Sequence, residues 1–540
     1  MEGVRRSFAG APLAVLLSAV VHYSVVSDFF MHDDFVHLYQ IANHGFWEFL
    51  LTPHGGHLLA TSNLVFYLCF QIFGVQAELY HGLALLTHLA NVWLLFLVIE
   101  RFTGKRVLAL FGAALWGMSP VARGSIGWFS VYGHALATLG LLWVLLDVAT
   151  VRRQPAAVSR GQMTRWFVLL ILVAMCFGVG LGVAMASGAI LYALLPNAPN
   201  RARVALVFGG MVLLLPLIYM VQHIAFEALW GPLLADGRDT IAQLGRDPLG
   251  PLLMLVRLVA FATASLVFGV VVRPDHGKAL PPHSAALEGE IDLMSLVVAL
   301  LIAIAVAWAA LRSTRERRSA ILGFGLIVLV AYGVIAAGRA SLMLSAASSP
   351  LWMVSSPRYH YLGTLGIATV LCLALAALPL RFDRIGRLAF IVWVGFALPL
   401  DVHFARSIEG GPARASRGQY HRTVSKIRRE VKARPEGGTV FIENRSFRPV
   451  RMLSLSRFPG EAAAFVFSFP ENAVDGRRVY FVERRPEVLR AVARRPGTRI
   501  HDLVVSLKRK RSIQRTLTRL RDSRGFERTS PGAARPKDRR

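Results

Sequence analysis

Long apolar runs punctuated by short clusters of Lys and Arg set the rhythm of the first three quarters of this chain. A run of about 18 or more apolar residues is long enough to cross roughly 30 Å of hydrocarbon as a helix. In chain order the pattern predicts spans over 12–26, 79–99, 107–118, 131–149, 204–220, 293–311, 321–337, 359–378 and 388–400. The stretch 166–195 is long for one helix, and Gly178, Gly180, Gly182 and Gly188 allow it to break into a hairpin of two short helices. The total is ten or eleven spans. Two further apolar stretches, 58–75 and 252–272, read as interfacial or re-entrant helices, because counting them as spans would carry basic loops to the wrong side.

Orientation follows from those basic loops. Arg5 and Arg6 put the N-terminus inside, as do Arg101, Lys105 and Arg106, then Arg152 and Arg153, and later Arg312 to Arg318. Residues 28–77 then form a first external loop. No small-residue cleavage site follows the first apolar segment, which leads into Asp28-Phe29-Phe30 and reads as a retained helix.

Composition agrees: 54% of the 540 residues are hydrophobic and only 17% charged, where a soluble protein carries about a quarter. The net charge of +28 is uneven. From Ala405 onward there are 34 Lys+Arg against 13 Asp+Glu, so +21 lies in the last 136 residues. Such a block beside membrane spans suits anionic lipid headgroups. No nucleic-acid-binding motif accompanies it, and nucleic acid is not expected as a partner. The expected organisation is a transmembrane region over 1–404, a small α/β domain on the outer side over 405–507 and a basic, disordered tail over 508–540. Strands are expected at 439–442, 464–469, 479–482 and 500–505, with a helix at 486–493. Cys69, Cys176 and Cys372 lie in apolar segments without ligand spacing and read as buried side chains.

Chemistry-bearing residues gather in the predicted outer loops. Asp33 and Asp34, in His32-Asp33-Asp34-Phe35, are adjacent carboxylates at a membrane edge, where desolvation is costly. One can accept a proton from a hydroxyl while the other orients it; equally, an Asp pair suits a helix N-terminus. Arg358, between Pro357 and Tyr359-His360-Tyr361, can grip a phosphate with its planar fork, or simply anchor a helix end with Tyr359 and Tyr361. Arg123, Trp128 and Tyr132 follow Pro120 and line the same cavity or form an aromatic belt. His57 and His134, with His32, are candidates for hydrogen bonds to a sugar or phosphate. His54 and His57 have a metal-compatible spacing, but no carboxylate or Cys completes a set, so no metal site is expected, though a divalent ion is not excluded. His81 and His88 fall on one face of a span and read as polar links between helices.

In their order, these features resemble the GT-C superfamily of membrane glycosyltransferases. The nearest likeness is to the protein O-mannosyltransferases and the tetratricopeptide-carrying transmembrane O-mannosyltransferases. The resembling parts are His32-Asp33-Asp34-Phe35, Thr61-Ser62-Asn63-Leu64, the span bearing His81, His88 and Asn91, Ser119-Pro120-Val121, and Arg358-Tyr359-His360-Tyr361-Leu362, across roughly 10–380. The resemblance implies an all-α polytopic membrane fold with interfacial helices in the first external loop. It implies a multi-pass integral membrane location (the cytoplasmic or inner membrane in a bacterium) and an active site on the outer face. It also implies a polyprenyl-phosphate sugar as donor, Asp33 as base, Asp34 as its partner and Arg358 near the donor phosphate. The chain departs from the pattern where Ala122, Arg123 and Gly124 replace the His and Glu often found after the proline turn. It departs again at the break near 178–188, which lacks charge, and in the absence of any tetratricopeptide repeat. Donor sugar and acceptor (protein, lipid or glycan) stay open. Two rival functions fit much of the same pattern: a transporter or flippase for a lipid-linked saccharide, and a polymerase or ligase of surface polysaccharide.

Overall fold

The structure is a computed structural model. It describes residues 10–43, 45–53, 57–153, 156–230, 249–269, 282–343, 354–378, 385–408, 413–422, 425, 440–443 and 479–482. The chain divides into two units, residues 1–37 with 44–417 and residues 38–43 with 418–540.

The first unit is built of helices joined by turns and short loops among its described residues. Helix α1 (Ala11–His22) runs into a 3-10 turn (Tyr23–Ser27), and the loop region 28–77 carries α2 (Asp34–Asn43), α3 (Phe46–Leu51) and α4 (Ala60–Phe73). The central helix is α5 (Ala77–Thr103), whose buried face from Tyr80 to Ile99 packs against α1, against α6 (Arg106–Gly117) and against α8 (Gly133–Arg152). Between α6 and α8 the chain makes two 3-10 turns around the short α7 (Arg123–Ile126).

The glycine-rich stretch breaks as its composition predicts, into α9 (Arg160–Ala174), α10 (Gly178–Met185) and α11 (Ser187–Leu194). Helices α12 (Arg201–Gly209), α13 (Met211–Trp230), α14 (Leu249–Phe268), α15 (Pro282–Leu311), α16 (Arg315–Met343), α17 (Tyr361–Ala377) and α18 (Ile385–Ile408) follow.

Among the described residues seven helices can cross a membrane by length and composition, and the bent pair Arg106–Gly117 with Pro120–Ile126 makes an eighth. The larger number expected from sequence differs for a physical reason. Ala11–Ser27 and Tyr361–Ala377 are apolar but have 17 residues or fewer, and 160–194 consists of three short pieces. Leu249–Phe268 does qualify by length and packs along α15 and α16, whereas the sequence suggested an interfacial or re-entrant helix. Leu213, Ile304 and Phe396 point outward from α13, α15 and α18 without cover, as side chains facing lipid do. The unit is an integral, multi-pass membrane fold.

The bundle has two chemically distinct ends. At one, Arg101 donates to the Leu146 carbonyl at 3.2 Å and to Thr150 Oγ1 at 2.6 Å, while Arg152 donates to the carbonyls of Leu194 and Glu316. At the other lie the loop region 28–77, the turns around α7 and the turn that precedes α17.

In the second unit, β1 (Val440–Glu443) and β2 (Val479–Val482) pair in parallel with Val440 opposite Val479. They fall within one residue of two expected strands. The expected strands at 464–469 and 500–505, the helix at 486–493 and the tail over 508–540 lie outside the described residues.

Candidate functional site

The loop after α1 separates its two adjacent carboxylates. Asp34 is fully buried; its Oδ2 accepts from the Met31 N–H at 3.0 Å and its Oδ1 from the Ser130 N–H at 2.6 Å. The first bond closes the opening turn of α2, and the second ties that turn to the segment between α7 and α8. Burial, with a smaller contribution from the neighbouring Asp33 charge, pushes the Asp34 carboxyl up to about 7 against the pull of these hydrogen bonds. Asp33 stays half-buried. His32, immediately upstream of the pair, has a φ of +46°, a left-handed conformation that costs a non-glycine residue about 1–2 kcal/mol. Strain of that kind persists only where surrounding contacts over-determine it, and it clusters at functional sites.

Asp28, just upstream, forms a buried ion pair with Arg123, Nη2 to Oδ2 at 2.6 Å, with exposures of 5% and 1%. Burial raises the Asp28 carboxyl to about 6, and Arg123, Arg414 and Arg417 oppose the rise. Arg123 was a sequence candidate for the donor phosphate. The fold instead closes it into the packing beneath the loop, where a phosphate has no open face to meet.

The chain beyond α18 returns to this same end. Ser416 Oγ donates to the Phe30 carbonyl at 2.7 Å, Arg417 pairs with Glu78, and its guanidinium lies 5.5 Å from the Phe29 ring centroid.

Trp128 joins the acid loop to the late arginine. The His32 ring lies 5.1 Å from the Trp128 ring on one side, and the Arg358 guanidinium lies 4.8 Å from it. Residues 326 positions apart in sequence therefore meet at one indole. Gly124 makes the approach possible: a Cβ there would come within 2.5 Å of the Arg358 backbone nitrogen and 2.7 Å of the Pro357 Cβ. The departure from the family pattern at Gly124 thus has a local reason, since α7 and the 357–359 turn pack backbone against backbone.

Arg358 is half-buried, lies 5.0 Å from the Tyr359 ring centroid and donates to the Tyr359 hydroxyl at 3.2 Å. Arg339, from α16, lies 5.6 Å from the same centroid and acts on the same hydroxyl. Burial pushes the Tyr359 phenol up, but the two guanidiniums outweigh it and bring the phenol below its ordinary value. Sequence reading missed Arg339. Its one signal in the sequence is a lone arginine just beyond an apolar run.

His57 and His134 come together through an aromatic neither sequence argument used. The Phe177 ring lies 4.5 Å from His57 and 4.2 Å from His134. Phe177 also packs against the cluster of Met31, Trp128 and Val131, so both histidines border the Trp128 region.

Tyr361 has a different place. Fully buried, its hydroxyl donates to His88 Nδ1 at 2.8 Å and accepts from Asn91 Nδ2 at 3.2 Å, and its carbonyl accepts from Trp116 Nε1 at 3.0 Å. His88, His22 and Ser18 all reach the Gly117 carbonyl, at 3.1, 3.1 and 2.8 Å. This network fastens α17 to α1, α5 and α6. Tyr361 is thereby an anchor for the arginine turn instead of a phosphate ligand, and His88 is the interhelical link its position on the span suggested.

No three His, Cys, Asp or Glu side chains gather as a metal site among the described residues; His54 lies outside them.

No protein-family model matches the chain, and no curated protein matches it. Among solved structures, it is similar to the oligosaccharyltransferase of Archaeoglobus fulgidus, crystallised tethered by a disulfide bond to an acceptor peptide containing the NVT sequon. The identity is 12% and the TM-score 0.42, over 83% of this chain and 63% of that one. The chain thus spans less than two thirds of the length of that protein.

Proposed function

We propose that this protein is a GT-C-type glycosyltransferase that moves a sugar from a polyprenyl-phosphate-linked donor to an acceptor hydroxyl at the outer face of the membrane. The observation that carries the reading is the meeting at Trp128, where the residue before Asp33 and the guanidinium of Arg358 lie 5.1 and 4.8 Å from one ring. The order of motifs supports the same reading. The clustering of Arg101, Arg152 and Arg153 at the opposite end supports an outward-facing site.

In this mechanism the acceptor hydroxyl gives its proton to the Asp33 carboxylate as its oxygen attacks the anomeric carbon from the face opposite the phosphate. The carbon–oxygen bond to phosphate breaks, its electron pair leaves with the phosphate, and the configuration inverts. Negative charge grows on the leaving phosphate, so a fixed guanidinium at Arg358 stabilises the transition state more than the bound donor. Asp34 is a positioning residue: held by Met31 and Ser130, it fixes the turn that presents Asp33.

The test follows release of radiolabel from a polyprenyl-phosphate monosaccharide by the purified protein in lipid nanodiscs. Asp33→Asn is expected to reduce release at least a hundredfold while membrane insertion stays normal. Undiminished release would remove Asp33 as the base. Movement of intact donor across the bilayer without release would favour a flippase.

A further inference from the structure

Arg358 is the single arginine of its turn in sequence, yet the fold brings a second guanidinium to it from another helix. Arg339 and Arg358 both lie over Tyr359, at 5.6 and 5.0 Å from its ring centroid, and both act on its hydroxyl. Tyr359 is buried and both arginines are half-buried, so the two like charges are gathered where water screens them poorly. A bound anion is stabilised by such an arrangement.

Two further donors point to where it would sit. The Trp128 indole N–H, on the ring that packs against Arg358, is buried and has no hydrogen-bond partner among the described residues. The Ser355 hydroxyl, three residues before Arg358, is buried in the same condition. Unsatisfied donors beside paired cations are a polar surface made for oxygen acceptors.

We propose that Arg339 and Arg358 form a two-armed clamp, hinged on Tyr359, for the phosphate of the lipid-linked donor, which makes Arg339 a donor-binding residue. The inference rests on the transferase reading and extends it. A sugar joined through one phosphate to a polyprenol is a phosphodiester with one negative charge. When the anomeric carbon–oxygen bond breaks, the electron pair stays on the phosphate oxygen and the leaving monoester carries two. Two guanidiniums match the departing group better than the bound donor, which is the differential binding that accelerates transfer. A diphosphate donor would gain charge in the same way, so the shared chemistry is a polyprenyl phosphate end.

The experiment measures binding of farnesyl phosphate, farnesyl diphosphate and farnesol to the full-length protein in nanodiscs. Arg339→Gln is expected to weaken the phosphate or the diphosphate roughly ten- to a hundredfold, as loss of a charge-assisted contact does, and to leave farnesol unchanged. Arg339→Lys keeps the charge without the fork and should fall between; it carries the test if Arg339→Gln does not fold. Whichever of the two anions loses more identifies the donor's linkage. Wild-type affinity for both anions in these variants, or an equal loss for farnesol, overturns the clamp. The two proposals fail separately. Arg339-dependent anion binding in a protein that transfers no sugar would sink the transferase reading alone, and undiminished sugar transfer by Arg339→Gln would sink the clamp alone.

Discussion

Replacing Arg123 with Gln separates a structural cation from a donor-binding one. In the fold Arg123 is 1% exposed, its partner Asp28 is 5% exposed, and their charged atoms are 2.6 Å apart. Breaking a buried pair by removing one member costs about 3–5 kcal/mol, because the remaining charge is left without compensation. Asp28 limits the damage. Its carboxyl is already raised to about 6, so without Arg123 it takes up a proton near neutral pH, and the expected loss lies at the lower end, about 3 kcal/mol. The loss should be larger at pH 8 than at pH 5.5, where protonation is easier. Asp28→Asn combined with Arg123→Gln removes both charges and should restore much of the stability, giving a coupling energy of about 1–3 kcal/mol in a double-mutant cycle. Unfolding of the detergent-solubilised protein, followed by tryptophan fluorescence, reads all four proteins. Farnesyl phosphate affinity of the folded Arg123→Gln protein should equal that of wild type. Unchanged stability in Arg123→Gln, or a double variant no better than the worse single one, would refute the buried-pair reasoning.

Three other outcomes follow from the same geometry. Asp34→Ala leaves the buried N–H groups of Met31 and Ser130 without their acceptor, which should cost about 2–6 kcal/mol at roughly 1–3 each and depress transfer through the disordered loop, with Asp34→Asn milder in both readouts. Trp128→Ala removes the ring beneath Arg358, and a cation–π contact of about 0.5–2 kcal/mol predicts a rise in donor KM of roughly two- to thirtyfold, measured with the labelled donor. Stability should also depend on pH. Asp28 and Asp34 hold protons in the fold at about 6 and about 7, where the unfolded chain has released them near 3.8. The folded protein thus binds the extra protons in that window, and stability falls as pH rises through about 6 to 7. Melting temperatures from pH 5 to 8 should show this decline, and Asp34→Asn should flatten it.

What the sequence disclosed is what hydrophobic periodicity can encode. The apolar runs marked the helical bundle, and Gly178 marked the place where α9 gives way to α10. The strands over 440–443 and 479–482 were visible as short β-branched and aromatic runs. The fate of individual polar residues was less legible, because burial is decided by partners far away in the chain. Asp33 and Asp34 are equivalent on paper; only the Ser130 N–H, almost a hundred residues on, makes Asp34 the buried brace. Arg123 looked like an open cation until Asp28 closed on it, and Tyr361 looked interfacial until His88 and Asn91 took up its hydroxyl. Arg339 went unnoticed because it sits at the end of an apolar run with no motif around it. The return of Ser416 and Arg417 to the loop after α1 could not be read from local pattern at all.

Proximity of the acid loop to the arginine turn is the central claim, and thiol cross-linking measures it directly. His32→Cys and Arg358→Cys, introduced together, replace two side chains whose imidazole and guanidinium both contact Trp128 and lie no more than about 10 Å apart. A bifunctional methanethiosulfonate of that reach should join them in the membrane-embedded protein, whereas His32→Cys paired with Arg101→Cys, at the far end of α5, should stay unlinked. Equal linking of both pairs, or none of the first while each thiol reacts singly, would contradict a shared site.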